Sequence, residues 1–189
     1  MAYVAGGAAA LSVLTEPSRF GGSLEDLRQA RAATVVPLLR KDFITAPIQL
    51  LEARACGASA VLLIARALPA GLLRSLAAEA RALGLESLIE VRDETEVATA
   101  LEVTGALIGV NNRDLETLII EEEVTERLIP LIPPDRVAVY ESGVRAREDV
   151  LRAAALGADA VLVGSVLSGA PDGRAAVAAL VGVPRRARG

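Results

Sequence analysis

The sequence predicts an α/β fold of the (β/α)8 TIM-barrel type, incomplete, with seven of the eight strands in this chain. Three observations predict it. Seven short apolar runs alternate with longer amphipathic segments. The runs are continuous rather than alternating in polarity, as strands buried on both faces of a parallel sheet are. Polar residues follow nearly every run, and in a barrel such residues gather at one mouth. An open doubly wound sheet would instead concentrate its ligand groups at one switch point, and the sequence has neither a GxGxxG after its first strand nor a P-loop.

The elements follow in order. The first run, Ala9–Leu14, leads into Thr15, Glu16 and a Phe-Gly-Gly turn, and Ser23 is suited to cap the helix that begins "LEDLRQ". The second run, Val35–Leu39, delivers Arg40, Lys41 and Asp42. The third is Ala60–Ile64; the helix after it stops at Gly84. The fourth, Ser87–Val91, carries Glu90 inside it, and the fifth, Ala106–Val110, leads into Asn111, Asn112, Arg113 and Asp114. The sixth, Val137–Tyr140, gives Glu141, Ser142 and Gly143; its helix stops at Gly157. The seventh, Ala160–Gly164, is followed by Ser165 and a short helix near Val166. "GASAVLLI" and "GADAVLVG" are near copies, so the repeating unit is helix then strand.

Composition narrows the function. The chain has 189 residues, 52% of them hydrophobic, enough for one domain over residues 1–183 with a basic tail at 184–189. A net charge of −4 with mixed signs makes no case for nucleic acid. With no histidine, imidazole catalysis and serine–histidine triads are excluded, and carboxylates and amines must move any protons. A single cysteine, Cys56, fits a reducing cytoplasm and reads as core packing. No secretory signal and no membrane-length apolar run is seen.

At a barrel mouth, a lysine facing carboxylates in a partly desolvated space can act as a general acid. Backbone amides around Gly143, Gly164 and Ser165, with the helix near Val166, can cradle a phosphate. Singly, most of these features have a plain structural reading. Lys41 and Asp42 fit a surface ion pair, Asn111 and Asn112 turn residues, Arg113 and Asp114 a loop salt bridge, and Glu121–Glu123 a solvated helix start. Glu90 is harder to dismiss, because buried glutamates are rare without a partner. Their recurrence at one end of successive strands is the evidence.

The motifs "SVLTEPSRFGGSLEDL", "LLRKDF", "AVLLIA", "LIEV", "IGVNNRDL", "ESGV" and "AVLVGSVL" resemble, in order and spacing, those of indole-3-glycerol phosphate synthase. The resemblance implies a cofactor-free barrel lyase of tryptophan biosynthesis. It closes and decarboxylates 1-(2-carboxyphenylamino)-1-deoxyribulose 5-phosphate to give indole-3-glycerol phosphate, carbon dioxide and water. It makes Lys41 the general acid and Glu90 the carboxylate serving the later dehydration. Asn111 and Ser142 orient substrate and carboxylates, supported by Glu141, and Arg113 braces the mouth. Gly143, Gly164 and Ser165 correspond to the phosphate cradle; Phe43, Leu62 and Leu115 supply apolar wall for the anthranilate ring.

Two departures accompany the resemblance. Tyr140 stands where the family usually has a small residue. The family's first strand, resembling "IAEVKRASPS", precedes the point at which this sequence opens, which leads to an expectation of feeble activity and of self-association through the gap. Two alternatives stay open: another phosphate-binding barrel such as phosphoribosylanthranilate isomerase, and a non-catalytic remnant or phosphate-ligand-binding module.

Overall fold

The computed structural model describes residues 1–188. Its centre is one parallel sheet of seven strands in sequential order: β1 (Leu11–Leu14), β2 (Leu38–Lys41), β3 (Ala60–Ile64), β4 (Glu86–Val91), β5 (Leu107–Asn111), β6 (Ala138–Glu141) and β7 (Ala160–Leu162). Sequential order with parallel neighbours is the winding that right-handed crossovers give a barrel. The helices are α1 (Ala2–Ala5), α2 (Pro17–Phe20), α3 (Leu24–Ala33), α4 (Pro47–Ala55), α5 (Ala70–Ala82), α6 (Glu94–Leu101), α7 (Glu123–Leu128), α8 (Arg147–Leu156), α9 (Ser165–Ser168) and α10 (Gly173–Leu180). Ser23 caps α3 by accepting from the Asp26 amide, and α8 ends at Gly157 with φ of 94°, a left-handed position that glycine takes without steric cost.

Alternation along the strands divides the core into two layers. Leu38, Val61, Leu63, Ile89, Ile108, Val110, Ala138 and Tyr140 point to the helices and join one large buried cluster. Leu39, Leu62, Ile64, Leu88 and Val139 point inward and form a smaller one, against which Phe43 and Leu115 pack. Each fully buried aliphatic side chain contributes roughly 1.5–3 kcal/mol, which fixes the register: a one-residue slip would exchange the two layers. Tyr140 is accommodated in the outer layer, 1% exposed.

The second strand corrects its sequence reading. Val35 is 94% exposed and β2 begins only at Leu38. Pro37 has no amide to donate; its carbonyl instead accepts from the Leu11 amide at the foot of β1. The strand runs on through Arg40 to Lys41, so the lysine is its last rung rather than a residue of the following loop. The fifth and sixth strands likewise extend to Asn111 and Glu141. In the tail, Arg185 and Arg188 both pair with Asp159.

Candidate functional site

Lys41 comes from β2, Glu90 from β4 and Glu141 from β6. In a flat sheet β2 and β6 would lie roughly 19 Å apart, four spacings of about 4.8 Å. Curling of the sheet brings Lys41 Nζ to 3.4 Å from Glu90 Oε2 and 3.5 Å from Glu141 Oε2. The lysine side chain is 25% exposed and both carboxylates are nearly sealed from solvent. Burial works to push the Lys41 ammonium down; Glu141 and Glu90, through charge and hydrogen bonds, outweigh it and hold the group above its ordinary value. Glu141 is raised as well, but by burial itself. Burial raises its carboxyl from 4.5 to about 7, with the Glu90 charge adding and Lys41 opposing.

Room for Glu141 comes from a glycine. A Cβ on Gly109 of β5 would stand 1.9 Å from Glu141 Oε1, so any larger residue there would displace the carboxylate. Among the described residues that same oxygen is buried without a hydrogen-bond partner, so the carboxyl has one oxygen on Lys41 and one facing into the barrel wall.

Asn111 and Ser142 meet beside this cluster. Ser142 Oγ donates to Asn111 Oδ1 at 2.8 Å, and the Arg113 amide donates to the same oxygen at 2.9 Å. Ser142 has φ of 65°, an uncommon conformation for a non-glycine residue. Asn112 is fully buried; its side chain donates to the Ser142 carbonyl and accepts from the Thr125 amide, which fastens β5 to β6 and α7. Phe43 and Leu115 stand over the inner apolar cluster that contains Leu62. Gly143, at φ of 91°, follows Ser142. Gly164 and Ser165 lie exposed after β7, where a Cβ on Gly164 would meet nothing within 4 Å.

Several pairings differ from the simplest sequence readings. Lys41 does not pair with Asp42; Asp42 accepts from Arg40 at 2.9 Å and from Thr15 Oγ1 at 2.7 Å. Arg113 does not pair with Asp114; it donates to the Leu118 carbonyl, whereas Asp114 takes Arg92. Glu121 is not merely a solvated helix start, because it also accepts from Arg92. Arg40, Arg92, Gly109 and Phe20 all lie outside the sequence-predicted set. Phe20 stacks on Phe43 with ring centroids 6.1 Å apart, and Arg19 sits over the Phe43 ring at 5.9 Å. Arg40 and Phe20 had local signals, a charged residue ending an apolar run and an aromatic residue at the tip of a Phe-Gly-Gly turn.

The family model described as indole-3-glycerol phosphate synthase matches residues 1–180. The indole-3-glycerol phosphate synthase of Nocardioides sp. is 54% identical over 181 residues, covering 96% of this chain and 70% of that protein. The one from Mycolicibacterium smegmatis is 50% identical over 180 residues, covering 95% of this chain and 66% of that protein. The chain thus spans about two thirds of the length of the curated relatives it matches. Among solved structures, phosphoribosyl anthranilate isomerase from Thermotoga maritima superimposes with a TM-score of 0.73 at 20% identity, covering 95% of this chain and 89% of that one. A phosphoribosyl anthranilate isomerase in complex with reduced 1-(o-carboxyphenylamino)-1-deoxyribulose 5-phosphate gives 0.69, also at 20% identity, covering 95% and 88%. At that identity the likeness speaks for the barrel fold alone. The sequence relatives and the family model decide the rest: the chain belongs to the indole-3-glycerol phosphate synthase family.

Proposed function

We propose that this mouth carries out the family's carboxy-lyase reaction, converting 1-(2-carboxyphenylamino)-1-deoxyribulose 5-phosphate to indole-3-glycerol phosphate. The observation that carries the reading is Lys41, held charged between Glu90 and Glu141 at the open end of the barrel. As the ring carbon bearing the carboxylate bonds to the carbonyl carbon of the sugar chain, the carbonyl oxygen takes up negative charge. Lys41 donates a proton to it. Carbon dioxide then leaves and the ring regains aromaticity. Glu90 takes the proton lost from the neighbouring carbon and passes it to the new hydroxyl, which departs as water. None of these steps calls on a cofactor.

Phe43, Leu62 and Leu115 form the apolar wall against which the anthranilate ring stacks, and Phe20 extends it. Ser142 and Asn111, locked to each other, orient the sugar hydroxyls, with Arg113 bracing the rim. Gly143, Gly164 and Ser165 receive the phosphate, and the open space at Gly164 fits a backbone that a phosphate must approach closely. A small phosphorylated substrate also suits the neighbouring barrel that holds the reduced analogue. Among the described residues no helix is long and apolar enough to cross a membrane. The single cysteine makes a reducing cytoplasm the setting we assign.

A second reading has its own observation. β1 and β7 are the two ends of the sheet, unpaired among the described residues, so the mouth is open on one side. A chain of this kind can hold a phosphorylated ligand without turning it over and can self-associate through the free edges. A substrate panel separates the readings. Formation of indole-3-glycerol phosphate supports the lyase. Conversion of phosphoribosylanthranilate instead would assign the isomerase reaction, and analogue binding with no turnover of either substrate would leave a binding module.

A further inference from the structure

We infer that Arg92 is a positioning residue for the proposed reaction: it clamps the loop between β5 and α7, which carries Arg113 and Leu115, onto the end of β4. The inference rests on the functional reading above. Arg92 lies two residues beyond Glu90 and its side chain is 7% exposed, unusual for an arginine at a barrel rim. Its two arms go to different ends of one loop. Nη1 donates to Asp114 Oδ2 at 2.9 Å, and Nη2 donates to Glu121.

Between those two carboxylates the chain makes a closed excursion. The Asp114 amide donates to the Ile119 carbonyl, the Leu118 amide to the Asp114 carbonyl and the Glu121 amide to the Asn112 carbonyl. Leu118 turns the corner at φ of 61° and is 62% exposed, and Ile119 beside it is 59% exposed. The tip is therefore held by its own hydrogen bonds, and the guanidinium holds its base. The clamp is itself braced. Glu96 accepts from the Arg92 amide at 2.6 Å and from Arg66 Nε at 3.0 Å, so the loops after β3, β4 and β5 form one network. The forked, planar guanidinium suits this task, because a lysine ammonium cannot reach two carboxylates with the same fixed geometry. Leu115 rests on the inner apolar cluster and Arg113 on Asn111, so loosening the loop moves both the ring wall and the rim.

The test compares wild type with Arg92→Met, which removes the charge, and Arg92→Lys, which keeps the charge and loses the fork. Two properties are measured: amide hydrogen exchange across the chain, and affinity for reduced 1-(o-carboxyphenylamino)-1-deoxyribulose 5-phosphate. In Arg92→Met the amides of residues 114–121 are expected to exchange at least ~10-fold faster, with β2, β4 and β6 unchanged. Affinity for the analogue should fall ~10-fold or more, as misplacement of a binding wall predicts. Arg92→Lys should recover part of both. Unchanged loop exchange overturns the clamp. Acceleration spread evenly over the barrel marks a structural role only and overturns it too, and a loosened loop with undiminished analogue affinity overturns the positioning role. Should Arg92→Met fail to fold, the double variant Asp114→Asn with Glu121→Gln is read by the same criteria. A wild-type chain that neither binds the analogue nor forms product sinks the functional reading instead, and loop exchange alone then decides the clamp.

Discussion

At the scale of single residues, the site depends on which groups are kept from water and which are paired. Lys41 could be picked out of the sequence because a charged residue ends an apolar run, and Glu90 because it interrupts one. Arg92 could not. Its partners lie 22 and 29 residues away, and nothing local distinguishes it from an ordinary arginine before a helix. Gly109 was equally silent, since its reason to be glycine is a carboxylate from the adjacent strand. Glu141 gives a residue-scale prediction. Its carboxyl is raised from 4.5 to about 7 in the fold, so the folded state binds a proton more readily than the unfolded chain between those values. The stability this lends is fully present below about pH 4.5 and is lost as pH rises through about 7, a change on the order of 3 kcal/mol. Lys41, raised from an already high value, loses its contribution only in strong alkali. Glu141→Gln should therefore flatten the fall in stability between pH 5 and 8, measured by urea unfolding. Equal slopes in the two proteins would refute the burial argument.

At the scale of elements, the strand count, the parallel winding and the helix stops were legible because each rests on a local rule. Continuous apolar runs, a serine cap and glycine stops are all written within a few residues. The exact rungs were not legible. Val35 and Val36 look like strand, but Pro37 places the start of the ladder after them. The edges make a prediction of their own. The Leu11 amide donates to Pro37, just before β2, and the Thr15 amide to Lys41 at its end, so by the two-residue period the amides of Ser12 and Leu14 face away from the sheet. Such an edge invites pairing with a second chain. The 189-residue chain should elute as a dimer or larger species in size-exclusion chromatography at micromolar concentration. Ser12→Pro removes an outward donor without touching the β1–β2 ladder, and it should shift the profile toward monomer. A wild-type chain that stays monomeric on concentration would show that the edges are protected.

At the scale of the whole molecule, curling is what turns seven separate strand ends into one site. Residues from β2, β4 and β6 meet only because the sheet closes toward a barrel, and the family membership of the chain accounts for the order in which the motifs appear. The mouth works as proposed only if Lys41 is the proton donor of ring closure. The most direct measurement is steady-state formation of indole-3-glycerol phosphate by wild type and Lys41→Met, alongside affinity for the reduced analogue. We predict that Lys41→Met lowers kcat by at least ~10²-fold, the usual scale for loss of a general acid, while analogue affinity changes much less. Near-normal turnover in Lys41→Met would contradict the role assigned to the lysine and, with it, the reading of the mouth.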